Sequence, residues 1–406
     1  MKSFTNKKIL HVTGSYIEDG TTFSTLNLHN FLLKKKINSK IAFLSEGNSK
    51  DLINLNNKLI NKFRFFFLNK FNSIIVKILK KNKNFAFFNN FISSGIFDII
   101  QKTKPDIIHF HWMPRSINIK YLLKLKKLNI KIIWTLRDFW AFTGGCNVPL
   151  GCDKYLNHCF NCPNLISNIN KDISYFNFKE KKKNYKLLNK ITLTFPCKDF
   201  RTIYKKSILK NIKNSFVIPN SFDDKYFYWK NIKKNKKFTI LFGAQNLDQE
   251  WKGTEIIVNI INYFKDHEIN FIIFGETRKY LNFFKNNKKI KYLNYVNSKK
   301  KLSRFFLKSD LFIFPSYLES FGKVIIESLA CGTPVIANKK FGAKDIISHK
   351  KDGYLVNNQN FNDYIDGINY FKNCNLKKIR NNCILKSKKY NIELIGNKFI
   401  QLYKNL

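Results

Sequence analysis

Residues Asp310 to Asn338 read DLFIFPSYLESFGKVIIESLACGTPVIAN. An apolar run ends at Pro315, a short loop holds Glu319, and Phe321-Gly322-Lys323 opens a segment of helical spacing that carries Glu327 and stops at Cys331-Gly332. Gly332, Thr333 and Pro334 then turn the chain into a second apolar run. Apolar residues at consecutive positions suit a strand buried on both faces of a parallel sheet. Strand, loop, helix and strand in that order make a βαβ unit. One carboxylate precedes the helix N-terminus and the second lies inside the helix, eight positions on. The free amides at a helix start point outward at the positive dipole end and can hold a diphosphate without a metal. Ionised carboxylates only accept hydrogen bonds, so the pair suits a ligand rich in hydroxyls. Taken singly, Glu319 is a loop residue and Glu327 a solvent-facing one; their shared setting argues for a site.

Similar apolar runs recur on both sides. The clearest are Ile9 to Thr13, Ile107 to Trp112, Lys131 to Leu136, Ile191 to Phe195, Phe216 to Pro219, Phe238 to Gly243, Asn270 to Phe274 and Pro334 to Ala337. Helical spacing separates them, as in Glu255 to Phe264 and Lys300 to Lys308. The expected fold class is therefore α/β, with two doubly wound domains facing across a cleft where their strand C-termini hold the ligand. The joint falls at FVIPNSFDDKYF, Phe216 to Phe227. Residues 1–216 form the expected N-terminal domain, with a Cys-rich loop at 144–165. Residues 217–387 form the ligand-binding domain, and 388–406 a C-terminal helix that packs back on the first.

The 406 residues, 44% hydrophobic and 16% aromatic with only 8 prolines, exclude disorder throughout and suit about two domains. The net charge of +46 raises the question of a polyanionic partner, yet only seven of the 73 basic residues are Arg. Readers of nucleic acid favour clustered Arg, whereas here Lys is spread along the chain with Asn, Ile and Phe, all residues of A/T-rich codons. The charge is read as compositional, and no nucleic-acid partner is expected. No charge-free apolar run approaches the ~20 residues of a membrane span. The start, MKSFTNKKILHVTGS, enters a strand without a signal-peptide core. A cytoplasmic chain is expected, either free or held at the inner face of the cell membrane, with its eight cysteines reduced unless they bind metal or do chemistry.

The Glu319–Glu327 segment resembles the retaining, GT-B-fold glycosyltransferases of family 4. That resemblance implies that Glu319 contacts the donor sugar and Glu327 the nucleotide ribose, with Phe321, Gly322 and Lys323 near the diphosphate. FTILFGAQNLDQEWKG resembles the first strand of the donor domain and its basic-Gly element, which aims Lys252, followed by Gly253, at the phosphates. The family places Arg before that Lys; here it is Trp251. VIPNSFD resembles the inter-domain segment, and FGAKDIISHKKDGYLV the turn, strand and helix that close the sheet. In the N-terminal half, PDIIHFHW and WTLRDFWAFTGGCNVPLGCDKYLNHCFNCP resemble the colanic-acid-type polysaccharide transferases. That group has His-Asp after Trp-Thr-Leu, where this chain has Arg137-Asp138 on the acceptor side. An Arg donates hydrogen bonds and charge but does not serve as a base. His111 is then the candidate near the reacting hydroxyls, the alternative being a core histidine. Gly14 and Gly20, the latter in Asp19-Gly20-Thr21, stand for the family's Gly-rich loop, where small residues let backbone approach a diphosphate or acceptor.

Cys146, Cys152, Cys159 and Cys162 lie within 17 residues. A CxxC with two further thiols either closes a tetrahedral structural zinc site or serves packing. Between Lys50 and Lys83, Phe63, Phe67, Phe71, Ile74, Ile75, Ile78 and Leu79 fall on one helical stripe flanked by Lys62, Arg64, Lys70, Lys77, Lys80 and Lys81. Such a helix either lies on an anionic leaflet or packs on its own domain.

The expected activity is retaining, metal-independent transfer of a sugar from a nucleotide-sugar donor to a hydroxyl of a polysaccharide or lipid-linked oligosaccharide, as in capsule or lipopolysaccharide assembly. Glu319, Lys252 and His111 would be its catalytic residues, and no cofactor is required for the chemistry. A nucleotide-sugar epimerase or hydrolase is the enzymatic alternative. A non-enzymatic nucleic-acid-binding protein is the remote one, and it leaves the Glu319 to Pro334 constellation without a purpose.

Overall fold

The computed structural model describes residues 4, 6–16, 20–44, 50–56, 58–81, 86–89, 94–188 and 190–406, without the side chains of Arg64 and Lys126. Asp19 and Lys83, both named above, lie outside the described residues. Contacts divide the chain into one unit of Met1–Pro219 with Ile395–Leu406 and a second of Asn220–Leu394.

In the first unit the strands are β1 (Ile9–Thr13), β2 (Ser39–Phe43), β3 (Leu52–Asn54), β4 (Ile107–Trp112), β5 (Lys131–Thr135), β6 (Thr192–Phe195) and β7 (Ser215–Val217). They form a parallel sheet in the order β3-β2-β1-β4-β5-β6-β7. β1 and β6 are buried at every position, which explains their apolar or small residues, His11 excepted. Helix ends are capped where the sequence supplies a short polar side chain: Asp172 accepts from Tyr175 N, and Asn118 from Lys120 N. The tail returns through the end of the helix Ile392–Lys404, where a Cβ on Gly396 would lie 2.3 Å from Phe31. Only glycine admits that approach.

The second unit has β8 (Phe238–Asn246), β9 (Ile269–Glu276), β10 (Ile290–Leu293), β11 (Leu311–Phe314), β12 (Val335–Asn338) and β13 (Gly353–Val356), all parallel, in the order β10-β9-β8-β11-β12-β13. Its core joins the β8, β11 and β12 side chains to Ile325, Ile326 and Leu329 of the helix Lys323–Ala330. In both sheets the strand order reverses once, between β1 and β4 and between β8 and β11. In open α/β sheets ligands bind beyond the strand C-termini at such a switch point.

The Lys50 to Lys83 stretch is less uniform than its composition suggests. It begins with β3, and its helix runs Leu59–Leu79. Phe63, Phe67, Phe71, Ile74 and Ile78 are exposed on it, joined by Leu59, Ile60 and Phe66. Ile75 and Leu79, expected on the same stripe, are half-buried instead, because Val76 between them packs with Phe87 and Leu165 and turns that side inward.

Candidate active site

β8 and β11 deliver two loops to the switch point of the second unit. The β8 loop carries Glu250-Trp251-Lys252-Gly253, and the β11 loop carries Glu319. Gly253 has a φ of 72°, and a Cβ there would stand 2.8 Å from Pro315 O, so the two loops touch only because this residue is glycine. Tyr317 N donates to Trp251 O at 3.1 Å, and Asn338, at the end of β12, donates to Pro315 O at 2.7 Å. Held this way, Lys252 Nζ and Glu319 Oε2 meet at 2.8 Å. Both are half-buried, with side chains 19% and 31% exposed, so solvent and ligand reach them. Trp251, where the resemblance led Arg to be expected, is buried and supplies no charge.

Gly322, with a φ of 78°, starts the helix Lys323–Ala330, and no side chain caps it. Phe321 is buried behind it. Lys323 Nζ lies 3.4 Å from Glu327 Oε1, one helical turn away. Burial pushes the Glu327 carboxyl up, and the Lys323 ammonium opposes that. Asp223, paired with Lys299 at 2.7 Å, also acts on Glu327. Sequence reasoning named Glu319, Glu327, Lys252, Gly253, Phe321, Gly322 and Lys323, and all lie in these loops and this helix. It missed Asn338 and Asp223. Asn338 closes the stretch that decided the fold, and Asp223 lies in NSFDD, yet nothing in either spacing announces a tether or a partner.

The switch point of the first unit is different in kind. His11, His109 and His111 are fully buried and bring three ring nitrogens within 4.8 Å of one another. Arg137 Nη2 donates to His111 Nδ1 at 3.1 Å, so that nitrogen must accept. The proton of a neutral His111 then sits on Nε2, which donates to His11 Nδ1 at 2.9 Å. His11 in turn carries its proton on Nε2, which is buried without a partner among the described residues. His109 spans Tyr403 OH and Thr135 Oγ1, both at 2.7 Å. Burial, then neighbouring rings and Arg137, lower all three imidazoles well below the ordinary value, so they are neutral. A guanidinium at their side and no carboxylate among these contacts make this a directed hydrogen-bond chain and a poor cation site. His111 thus has both ring nitrogens engaged away from solvent, and the Arg137 guanidinium lies beside it, with burial pulling it down to about 10. Asp138 accepts from Trp112 Nε1 at 2.6 Å and from Trp140 N at 2.9 Å, while burial pushes its carboxyl up to about 6.

Gly14 and Gly20 part company. A Cβ on Gly14 would fall 1.7 Å from Pro114 O, so glycine is required where the β1 and β4 loops meet; one on Gly20 meets nothing within 4 Å. The four clustered thiols line one small cavity with Gly144 and Gly145. Among the described residues no three of their sulfurs lie within 4.8 Å of one another.

Residues 225–390 match the family model for Glycosyl transferases group 1. Similar curated proteins include the N-acetyl-alpha-D-glucosaminyl L-malate synthase of Bacillus anthracis, 22% identical over 65% of this chain and 64% of that protein. The N,N'-diacetylbacillosaminyl-diphospho-undecaprenol alpha-1,3-N-acetylgalactosaminyltransferase of Campylobacter jejuni is 26% identical over 49% of this chain and 53% of that protein. The putative colanic acid biosynthesis glycosyl transferase WcaC of Escherichia coli is 31% identical over 19% and 21%. The chain spans less than two thirds of the length of each of these relatives. Among solved structures, sucrose-phosphate synthase from Thermosynechococcus elongatus superposes with a TM-score of 0.69 at 16% identity, over 98% of this chain and 99% of that one. Anabaena Alr3699/HepE in complex with UDP and glucose gives 0.62 at 15%, over 99% and 100%. The fold is GT-B, an α/β architecture of two Rossmann-like units.

Proposed function

We propose, from the group 1 glycosyltransferase segment at 225–390, that the chain moves a sugar from a nucleotide diphosphate donor to a hydroxyl of a glycan or lipid-linked glycan, with retention at the anomeric carbon. The Lys252–Glu319 pair beside the uncapped start of the helix Lys323–Ala330 carries this reading. Lys252 and the helix amides would meet the charge growing on the departing diphosphate, the kind of electrostatic stabilisation that usually dominates such catalysis. Glu319 would accept from donor sugar hydroxyls, and Glu327, braced by Lys323, from the ribose. Arg137, held by His111, would orient acceptor hydroxyls by donation. A divalent cation bridging the diphosphate is not needed in this scheme, because backbone and ammonium groups already supply the positive charge.

The UDP named with the Anabaena structures supports a nucleoside diphosphate as ligand. The diphospho-undecaprenol in the Campylobacter relative's name supports a lipid-linked acceptor. A thermal-shift screen tests the first point, since a ligand bound only by the folded state must raise the midpoint. UDP or another nucleoside diphosphate should raise Tm both in EDTA and in magnesium. Indifference to every nucleotide diphosphate would remove the reading, and proton NMR of the product anomer checks retention.

The exposed side of the helix Leu59–Leu79 supports placing the enzyme on an anionic leaflet. Phe63, Phe67, Phe71 and Ile78 are each more than half exposed, with Lys62, Lys70 and Lys77 on the exposed surface alongside. Each such Lys contributes about 1 kcal/mol near an anionic surface, and the apolar side chains enter the acyl boundary. No helix among the described residues is long and apolar enough to cross a membrane. In vesicle sedimentation the chain should pellet with phosphatidylglycerol-containing vesicles and stay in solution with pure phosphatidylcholine. Phe67→Glu with Phe71→Glu should cut the bound fraction at least tenfold; equal behaviour of that variant and the parent chain would rule the helix out.

A further inference from the structure

We propose that Cys146, Cys152, Cys159 and Cys162 bind one zinc ion as a closed structural centre. All four line a single cavity of about 20 Å³. A void of that size holds roughly one water-sized sphere. Every pair of the four thiols is close enough for their charges to act on one another. Cys159 and Cys162 have the two-residue separation of a zinc hairpin. Backbone amides are aimed at two of the sulfurs, as thiolate ligands require: Gly144 N donates to Cys159 Sγ at 3.2 Å, and the Asn164 amide points at Cys162.

A second observation is independent of the thiols' arrangement. Lys181 is fully buried, and its ammonium donates only to uncharged acceptors, Trp140 O at 2.6 Å and Thr143 O at 3.0 Å. Among the described residues no carboxylate forms an ion pair with it, and burial pulls it down to about 7. A buried cation is expensive without a counter-charge. Cys159 and Cys146 act on it favourably, more strongly than the Asp138 and Glu180 carboxylates do. Four thiolates around Zn²⁺ carry two net negative charges, and so would add to the counter-charge of the Asp138 and Glu180 carboxylates, which act on this ammonium without forming an ion pair with it.

Zn–S bonds of about 2.3 Å bring tetrahedral sulfurs to about 3.8 Å apart, so the metal draws all four inward into the cavity. With four thiolates no coordination position stays open, and the ion takes no part in transfer. Its work is mechanical. The loop it ties also holds the end of the helix Leu59–Leu79, through Ile166 N to Leu79 O at 2.8 Å, Lys81 N to Asn164 O at 3.1 Å, and the bridge between Phe87 and Cys146.

This inference does not depend on the transferase reading. Freshly purified, reduced full-length chain should contain about one zinc per molecule by inductively coupled plasma mass spectrometry. Cys159→Ser with Cys162→Ser should reduce zinc to background, and Cys374→Ser should leave it unchanged. Should the double variant fail to fold, Co²⁺ exchanged into the parent chain gives the second measurement: thiolate-to-cobalt charge transfer and intense tetrahedral d–d bands are expected. Absence of zinc even after growth in zinc-supplemented medium, zinc retained in a folded double variant, or a cobalt spectrum lacking thiolate bands would each overturn the proposal.

Discussion

Glu319→Ala should lose transfer by on the order of 10²–10³-fold in kcat/KM while the protein stays folded and still binds nucleoside diphosphate. The fold is safe because the Lys252–Glu319 pair is half-exposed, and such pairs contribute at most about 1 kcal/mol. Binding survives for a separate reason. Removing the carboxylate frees the Lys252 ammonium from a competitor 2.8 Å away, which strengthens its attraction for phosphate. The loss therefore falls on the sugar and not on the diphosphate. Lys252→Ala should show the reverse split, with weaker diphosphate binding as well as slower transfer. Titration calorimetry with UDP and a transfer assay on the same preparations separate the two. Turnover like the parent's in Glu319→Ala would dismiss the assignment, and a parallel loss of UDP affinity would assign Glu319 to the wrong part of the donor.

Mild acid should destabilise the first unit selectively between about pH 7.5 and pH 5.5. His11, His109 and His111 are held neutral, with folded pKa values well below the ordinary 6.5. Above 6.5 neither state is protonated, and the three rings contribute no pH dependence. Below it the unfolded chain takes up protons on these rings that the folded one resists, so stability falls as pH falls. Asp138, pushed up to about 6, gains a proton in the folded state first and offsets about 1 kcal/mol. Lys181, pulled down to about 7, is charged in both states below that value and removes about 1 kcal/mol over the same interval. These last two nearly cancel. His29, also lowered by burial, adds to the loss. In the second unit the lowered imidazole is His349, only partly buried. Hydrogen exchange read on β1 and β4 peptides, corrected for intrinsic rates, should lose protection while β8 and β11 keep theirs. Equal responses in the two units would show that the histidines are not held neutral.

The sequence is most legible where a strand is buried on both faces, because most of its positions are then apolar or small. That is why β1, β4, β8, β11 and β12 can be read directly. β2, β3 and β10 escape notice: β2 opens on Ser39-Lys40, and β3 and β10 are short edge strands with no fully buried position, their alternation lost among lysines and asparagines. The site is legible as far as local spacing carries it. Glu319, Gly322 and Glu327 announce themselves within nine residues, whereas Lys252 lies 67 residues from its partner and is recognised only by resemblance. The histidine chain shows an intermediate case. His109 and His111, two apart on one strand, must share a face, and that signal was available. His11 joins them because the parallel pairing sets it opposite His109, and no spacing along the chain reveals that register. Nor does sequence reveal that Arg137 spends one donor on His111 and thereby fixes which nitrogen carries each proton.

The return of Ile395–Leu406 to the first unit has a consequence in time. Tyr403 and His109 are 294 residues apart along the chain, and all of Asn220–Leu394 is made between them. During synthesis, at roughly 5–20 residues per second, the whole second unit is therefore made while β4 still waits for Tyr403. The first unit begins first and finishes last. Until the tail arrives, one ring nitrogen of His109 has no hydroxyl to meet, and the buried histidine row stays accessible to water and protons. The assembly is closed by its final dozen residues, like a box whose lid is cut from the end of the same strip.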